Sequence, residues 1–246
     1  MGIVDDDVDA TGRPEAVPPL VRFGAIGEAW GLLIQRWPMW VLTALIVLIS
    51  NSVLGGLVFS FFRVRRIGGP GAFWIGLSSG GQVLQAVLST VVTAFFLGGM
   101  FRMACRQIRR RDVGVETLFS VVDVLPQLIL GSVLYSLATF LGFCVCVVPG
   151  FIVTGVLMFT LPLITDAGLD ATDALGQSWH ALKRQWLTAT LFHMVAGFVA
   201  WLGLCACGVG FLITAPLYCL AIAVLYRDFF MIRGQGAGWK PASPLG

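Results

Sequence analysis

Residues 124–165 read VLPQLILGSVLYSLATFLGFCVCVVPGFIVTGVLMFTLPLIT, a stretch of 42 residues without one charged side chain. A bilayer core about 30 Å thick takes roughly 20 apolar helical residues to cross. The stretch is therefore long enough for two spans, and the turn at residues 148–150 is so short that they must form a hairpin. Its apolar residues are continuous rather than alternating, which excludes a transmembrane β-barrel.

The same criterion, applied to the whole chain, predicts six spans. They lie at Met39–Phe62, Gln82–Phe101, Val124–Val147, Gly150–Thr165, Leu187–Leu204 and Gly208–Tyr226. Hydrophobic residues make up 57% of the 246 residues and charged residues 12%, which is about half the charged share of a soluble domain. This composition excludes an ordinary globular protein, a disordered protein and a nucleic-acid-binding protein. We expect an all-α, polytopic membrane protein.

The distribution of basic residues predicts the orientation. Of the 16 Lys and Arg residues, 13 fall on the side of the termini, and only Arg63, Arg65 and Arg66 fall on the other side. Because basic residues collect on the cytoplasmic side, we expect a multi-pass protein of the bacterial inner (plasma) membrane with both termini in the cytoplasm. Residues 1–22 are expected to form a disordered acidic tail, residues 23–230 the six-helix membrane domain, and residues 231–246 a second cytoplasmic tail.

Two short turns of the chain resemble each other and indicate an internal repeat. FLGFCVCVVPGF at 140–151 matches WLGLCACGVGF at 201–211, with an offset of 61 residues before Pro149 and 60 after it. The pattern extends upstream to a third copy. It predicts three parallel hairpin repeats, at about 23–101, 112–166 and 170–228, in which each unit starts and ends on the same side.

A short amphipathic segment precedes the first span of each unit. These segments run from Phe23 to Arg36, from Gly114 to Asp123 and from Asp173 to Gln185, and each is too short and too polar to span. In the first and third segments apolar residues recur at helical spacing. Their apolar faces are Ile26, Trp30, Leu33 and Trp37, and Leu175, Trp179, Leu182 and Trp186. We expect helices that lie in the inner interface.

At this point the chain resembles a known family. LPLITD at 161–166, Ala174-Leu175, Ser178 and the tryptophan-containing step into the fifth span are similar to six-span bacterial membrane proteins. These proteins are grouped with the membrane domain of glycerophosphoryl diester phosphodiesterases. GFLITAP at 210–216, Ala221 and YRD at 226–228 resemble the same group. The resemblance covers about residues 23–230 and implies a six-span membrane domain. It carries no catalytic residues over to this chain, which has no room for the soluble phosphodiesterase domain.

Four cysteines form two Cys-x-Cys pairs at the outer turns of adjacent hairpins: Cys144 and Cys146, Cys205 and Cys207. Three interpretations stay open. The cysteines serve as small apolar residues at tight turns, they form a disulfide between the hairpins if that side is oxidising, or their thiolates hold a soft metal. The spacing is not the usual Cys-x-x-Cys, and no His, Asp or Glu accompanies the pairs. We therefore expect no metal and no cofactor.

The spans contain few polar residues, and His193 is the ionisable residue at greatest depth. A histidine within a span is a candidate intramembrane polar site, although a neutral ring bonded to a hydroxyl of a neighbouring helix also explains it. The other polar residues line a narrow polar path or simply join helices. They include Asn51, Gln85, Thr90, Thr93, Tyr135, Ser136, Thr139, Thr154, Thr214 and Tyr218.

The densest basic cluster follows the second span and comprises Arg102, Arg106, Arg109, Arg110 and Arg111. Arg102, Arg106 and Arg109 share one face if the helix continues. Such a cluster attracts anionic headgroups, at about 1 kcal/mol per charge, or only determines the topology.

The residues of this chain indicate no catalytic machinery. The sequence contains no nucleotide-binding loop, no nucleophile paired with a base and no pair of carboxylates. We expect a non-catalytic integral membrane protein that organises lipid or partner proteins, with membrane lipids and other membrane proteins as its partners. The alternative is a transporter or channel for a small or lipid-like solute. A lipid-modifying enzyme that uses His180 and interfacial acids is a third, remote hypothesis.

Overall fold

The computed structural model of the protein describes residues 19–64, 79–205 and 210–231. Within these ranges it describes the side chains of all residues except 54–64, 79–87 and 204. All regular secondary structure in these ranges is helical, so the prediction of an all-α chain is confirmed. The helices are α1 (Gly24–Gln35), α2 (Trp37–Val64), α3 (Ser79–Ile108), α4 (Glu116–Phe119), α5 (Leu125–Val145), α6 (Val147–Val156), α7 (Thr160–Ala167), α8 (Ala171–Leu182), α9 (Trp186–Cys205) and α10 (Phe211–Tyr226). Two 3-10 turns, Ser120–Val124 and Lys183–Gln185, and a π turn, Arg227–Met231, complete the list.

Five helical stretches of the described chain are long and apolar enough to cross a bilayer. They are Leu88–Ile108, Glu116–Val145, Val147–Ala167, Ala171–Gly203 and Phe211–Met231. Helices α1 and α2 meet at 95° and provide a sixth span if they count as one bent pair. By length and composition the architecture is that of a multi-pass membrane protein. The predicted tails, apart from residues 19–22 and 231, lie outside the described residues, as do Arg65 and Arg66.

The fourth predicted span is present but broken. Residues 157–159 separate α6 from α7, because Pro162 has no N–H for the carbonyl four residues before it. The neighbouring helix α8 satisfies the backbone groups at the break. The amide of Phe159 donates to Ser178 Oγ at 3.2 Å, and Ser178 Oγ donates to the carbonyl of Val156 at 2.8 Å. A proline within a span is expected to kink its helix, and at Pro162 the structure shows a break between two helices.

The helices form an inner and an outer set. Within an apolar window of 18 residues, about half of the residues of three stretches are buried inside the bundle: 50% in Leu88–Ile108, 56% in Val147–Ala167 and 56% in Phe211–Met231. The corresponding shares are only 11% in Glu116–Val145, which contains α5, and 28% in Ala171–Gly203, which contains α9. The second helix of each predicted hairpin is therefore an inner helix, and α5 and α9, which come first, are outer helices.

The contacts between helices follow a cyclic pattern. Helix α5 packs against α6, its own hairpin partner, and against α3; α9 packs against α10 and α6; α2 packs against α3 and α10. The short segments continue the pattern, since α4 packs on α3, α8 on α7 and α1 on α10. All three short segments lie at one end of the bundle, which we call the basic end because residues 102–111 are also there.

Burial recurs with the offsets of the three predicted units. Five positions of the first unit are buried, and so are the positions 88 and 149 residues further along the chain. The two offsets, 88 and 149, differ by 61 residues, which is also the spacing between the matching turns at 140–151 and 201–211. The three sets are Ala25, Ala29, Leu33, Trp40 and Thr43; Val113, Thr117, Val121, Leu128 and Gly131; and Ala174, Ser178, Leu182, Ala189 and Phe192.

The faces of α1 and α8 that pack inward carry small residues rather than tryptophans. Ala25 and Ala29 in α1 are fully buried, whereas Trp30 remains 47% exposed. Helix α8 repeats this arrangement, with Ser178 buried and Trp179 46% exposed. Small side chains let helix backbones approach closely, so the tryptophans of the predicted apolar faces point outward.

An ionic network joins the two ends of the described chain at the basic end. Arg22 pairs with Asp228 at 2.8 Å and with Glu28 at 3.0 Å. Arg227 pairs with Glu28 and, at 2.8 Å, with Asp228. This network fastens α1 to the π turn that follows α10.

Candidate functional site

A hydroxyl-lined cavity lies between α3 and α5 at membrane depth. Its volume is about 270 Å³. Six of the residues that line it carry hydroxyl groups, and three are aliphatic. The hydroxyl-bearing residues are Ser89, Thr90, Thr93, Ser132, Tyr135 and Ser136, and the aliphatic ones are Ala94, Leu97 and Leu161. We call this space the hydroxyl cavity.

Helix geometry locates the hydroxyl cavity near the middle of the spans. At 1.5 Å per residue, Ser132 lies about 10 Å from the start of α5 at the basic end. Thr93 lies about 22 Å from the end of α3 at Ile108, on the same scale. The side chains of Thr93 and Ser136 are exposed at the mouth of the cavity, so it opens toward the outside of the bundle between the two helices.

Close packing of α3 on α5 closes the hydroxyl cavity toward the basic end. A Cβ on Gly98 would lie 2.4 Å from Leu128 Cδ2, so the two helices touch directly at this level. One and two turns further from the basic end, α3 presents small polar side chains instead of a glycine. Ser89 and Thr93, four residues apart, share one face of α3, and Ser132 and Ser136 share one face of α5. The gap between the helices is thus lined by hydroxyls from both sides.

The hydroxyl cavity offers hydrogen bonds without charge. No Asp, Glu, Lys, Arg or His lines it in the described part of the chain. A hydroxyl group both donates and accepts, so the lining can bind either kind of neutral polar group. Ser132 Oγ is buried and has no hydrogen-bond partner within the described residues. An unpartnered hydroxyl in a low-dielectric site favours an occupant that can hydrogen-bond to it.

Only some of the polar residues highlighted in the spans come together. Thr90, Thr93, Tyr135 and Ser136 meet in the hydroxyl cavity. Others bond within their own or an adjacent helix: Asn51 Nδ2 donates to the Val47 carbonyl, Thr154 Oγ1 to the Phe151 carbonyl, and Thr214 Oγ1 to the Ala200 and Gly210 carbonyls. The Gln85 side chain lies outside the described residues. Ser89 and Ser132 were missed, although their spacing of four from Thr93 and Ser136 was visible in the sequence.

His193 lies in α9, away from the lining of the hydroxyl cavity. Its ring meets Tyr218 of α10 edge-on, with centroids 5.8 Å apart. Its Nδ1 is buried and has no partner among the described residues. The structure therefore shows an aromatic contact and leaves one ring nitrogen unsatisfied. The role of His193 as an intramembrane polar site stays a prediction.

The five arginines of the basic cluster fall into two groups. Arg102 forms a bidentate pair with Asp123 at 2.8 Å, and Arg109 pairs with Asp166 at 2.7 Å. Arg106 donates to Thr117 Oγ1 at 3.3 Å. Arg110 and Arg111 are exposed and form no ion pair within the part of the chain that the structure describes. Arg102 and Arg109 therefore fasten helices to one another, and the contact of Arg110 and Arg111 with anionic lipid stays a prediction.

The outer cysteines are accessible at the end of the bundle opposite the basic end. Cys144, Cys146 and Cys205 are exposed and free, and Cys207 lies outside the described residues. Cys146 has an extended backbone between α5 and α6. At this turn a Cβ on Gly142 would lie 3.0 Å from Gly150 Cα, so small residues allow the sharp reversal. No group of three His, Cys, Asp or Glu residues that could hold a metal ion occurs among the described residues. The disulfide between hairpins stays a prediction.

No protein-family model, curated protein or solved structure matches this chain. The resemblance to the glycerophosphoryl diester phosphodiesterase membrane-domain family stays an expectation from the quoted residues.

Proposed function

We propose that the protein binds a small, uncharged, hydrogen-bonding molecule within the bilayer, in a state closed toward the basic end, as one step of the facilitated passage of that molecule. The observation that carries this proposal is the hydroxyl cavity, whose polar groups come from both α3 and α5 and include no charge. This function corresponds to the alternative that the sequence suggested, a transporter or channel for a small or lipid-like solute. Because the described residues of the lining carry no charge, we favour facilitated passage of the solute over transport that is coupled to ions.

The size of the hydroxyl cavity limits the solute. An engineered protein cavity of about 150 Å³ holds a benzene molecule, and common ligand pockets begin near 300 Å³. At about 270 Å³, the hydroxyl cavity suits a molecule on the scale of glycerol or a slightly larger neutral alcohol or amide. A phospholipid headgroup together with its chains is too large for it.

The second candidate is the organisation of lipid or partner proteins without catalysis. Exposed Arg110 and Arg111 at the basic end favour it, since unpaired arginines beside a membrane attract anionic lipids. Both candidates are non-catalytic and need no cofactor. Both also place the protein in the bacterial inner membrane, with its termini and its basic end in the cytoplasm.

We further propose that the chain consists of three parallel hairpin repeats around a pseudo-threefold axis. The matching turns, the cyclic helix contacts and the burial at offsets of 88 and 149 residues support this arrangement. The exposed tryptophans of α1 and α8 support an interfacial position for the short segments. The quoted motifs support membership of the glycerophosphoryl diester phosphodiesterase membrane-domain group.

Glycerol permeability of proteoliposomes tests the proposed function. Purified protein is reconstituted, and glycerol entry is followed by stopped-flow light scattering against protein-free liposomes. We expect permeability several-fold above the protein-free value, and a loss of at least fivefold of the added permeability in the triple variant Thr93→Val, Ser132→Ala, Ser136→Ala. Thr154→Val is the matched control, because its hydroxyl bonds to its own helix outside the cavity.

A stability measurement separates a functional from a structural effect of these hydroxyls. Ser132 Oγ has no partner, so Ser132→Ala should leave the Tm of the ligand-free protein unchanged or slightly raised. It should also abolish the rise in Tm that glycerol causes in the wild type. Permeability equal to that of protein-free liposomes, with no Tm response to glycerol, would contradict the proposal.

A further inference from the structure

A second cavity lies at the basic end, and its lining includes none of the arginines of residues 102–111. It has a volume of about 440 Å³ and is formed by α8, the 3-10 turn that follows it and the π turn after α10. Gln177, His180 and Arg184 provide its polar side, and Phe229 and Phe230 its aromatic side. We call it the α8 cavity.

The polar side of the α8 cavity is positive and unpaired. Arg184 forms no ion pair within the described ranges, and no carboxylate lines the cavity there. Lys183 Nζ lies 3.1 Å from His180 Nδ1. A lysine ammonium can only donate, so Nδ1 accepts and the ring proton sits on Nε2, which remains a free donor. The nearby carboxylates of Glu28 and Asp228 are held by Arg22 and Arg227.

The wall of the α8 cavity is fixed before any ligand arrives. The Gln185 side chain accepts from the Val21 amide at 2.9 Å and donates to the Pro19 carbonyl at 2.7 Å. These two bonds hold residues 19–21 against the 3-10 turn. On the opposite side Phe229 is buried, and its ring contacts Phe159 at 5.4 Å. Both walls are therefore anchored to the bundle, which lowers the entropic cost of binding.

Exposed tryptophans indicate the depth of α8 itself. Trp179, on the side of the helix away from the cavity, is 46% exposed, and Trp186 and Leu187 after the 3-10 turn are 44% and 55% exposed. Tryptophan is enriched where headgroups meet acyl chains, which supports an interfacial depth for α8. A cavity at this depth with cations on one side and phenylalanines on the other matches the two parts of a phospholipid.

We propose that the α8 cavity binds the phosphate of an anionic phospholipid through Arg184 and His180, with Lys183 beside His180 and the start of an acyl chain against Phe230. This inference does not depend on the hydroxyl cavity or on the passage of a solute. We thus place the specific lipid contact at the third short segment, which contains α8, and not at the basic cluster after α3, where Arg102 and Arg109 are paired.

Native mass spectrometry of the full chain, delipidated in mild detergent and titrated with phosphatidylglycerol or phosphatidylcholine, tests the site. The wild type should retain phosphatidylglycerol in preference to phosphatidylcholine. The variant Arg184→Gln should weaken retention of phosphatidylglycerol about fivefold. The control Arg36→Gln removes one exposed charge elsewhere at the basic end and should change retention less than twofold.

Two further arms distinguish a lipid from a free phosphate. Phe230→Ala should weaken phosphatidylglycerol binding, because it removes the apolar side while all the cations stay. Glycerol phosphate at millimolar concentration should not displace the lipid. Equal losses in both charge variants would show a diffuse electrostatic effect and overturn the proposal. Displacement by glycerol phosphate, with no effect of Phe230→Ala, would assign the site to a soluble anion instead.

Discussion

Arg109 and Arg110 are neighbours in the chain, yet only Arg109 reaches a carboxylate. Arg109 donates to Asp166 at 2.7 Å, and the Asp166 side chain, which is 8% exposed, also accepts from the Tyr226 hydroxyl at 3.2 Å. Arg110 is exposed and has a positive φ of 54° at the end of α3. Two residues that look interchangeable in a basic run therefore have different roles, one internal and one external.

Replacing Arg109 should destabilise the bundle, whereas replacing Arg110 should not. Arg109→Gln leaves the mostly buried Asp166 without its counter-ion and should lower the free energy of unfolding by about 2 kcal/mol. Arg110→Gln should change it by less than about 0.5 kcal/mol. SDS-induced unfolding in mixed micelles measures both values. The double variant Arg109→Gln, Asp166→Asn should recover part of the loss, and a double variant no more stable than the single one would refute the pairing.

Glu28 makes the ionic network between α1 and the π turn after α10 sensitive to acid. Hydrogen bonding from Arg227 lowers the pKa of Glu28 below its ordinary value of 4.5, against the opposing effect of burial. A lowered folded-state pKa stabilises the fold fully above the unfolded pKa, and this contribution is lost as the pH falls through the lower value. The stability difference between wild type and Glu28→Gln should thus be constant from about pH 7 to pH 5 and shrink below about pH 4.5. Thermal unfolding at pH 7 and pH 4 checks this, and a difference that grows in acid would contradict it.

The hydroxyl cavity shows which residues a sequence can identify and which it cannot. Thr93 and Ser136 were recognised because hydroxyls stand out in apolar runs. Ser89 and Ser132 were passed over because their importance depends on which face of α3 meets which face of α5. That pairing results from the contact of Gly98 with Leu128, two residues 30 positions apart. No local pattern contains such a contact.

Helices α6 and α9 show how closely two elements of the bundle approach. A Cβ on Gly155 of α6 would lie 2.5 Å from Thr190 Cα, which is a backbone atom and not a movable side chain. Gly155→Ala should therefore push the helices apart and lower the free energy of unfolding by about 2 kcal/mol. Gly197→Ala in α9 is the matched control, since its Cβ would meet nothing within 4 Å.

The control should be neutral or slightly stabilising, because alanine favours helices more than glycine does. SDS unfolding of the two variants gives the comparison. If Gly155→Ala were as stable as Gly197→Ala, the close approach of α6 and α9 would be refuted.

The lengths of the apolar runs predicted the bounds of most helices well, but they did not show where the fourth span is interrupted. The predicted spans agree with α2, α5, α9 and α10 to within about four residues at the described ends. Helix α3 continues seven residues beyond the predicted end at Phe101, because its last two turns pack on α4. The break between α6 and α7 was foreshadowed by Pro162 within the span, whereas the bonds from Ser178 that satisfy it come from far away in the chain and could not be predicted from the span itself.

At the scale of the whole molecule, orientation decides which face meets which compartment. Val148 is 62% exposed at one end of the bundle, and Asp112 is exposed at the basic end. In a background without native cysteines, Val148→Cys should react with a membrane-impermeant maleimide added to spheroplasts, and Asp112→Cys should react only after lysis. The reverse pattern would invert the topology and place the basic end outside.

The number and class of the helices were predictable, but their arrangement was not. Periodicity and hydropathy describe each helix separately, whereas the inner and outer sets result from contacts between different helices. The turns at 140–151 and 201–211 suggested a repeat, and burial at equal offsets in three units is a separate, structural observation. It required coordinates because Ala25, Val113 and Ala174 share burial and little else.

The cyclic contacts also dictate an order of assembly during synthesis. Helices α1 and α2 both pack against α10, which is the last helix of the described chain to be translated. Until α10 leaves the ribosome, the small-residue stripe of α1 has no neighbour and Glu28 has no Arg227. The first helices to be synthesised therefore remain longest without α10, the helix against which they pack. A chain truncated before α10 would present that unsatisfied surface to the insertion and quality-control machinery.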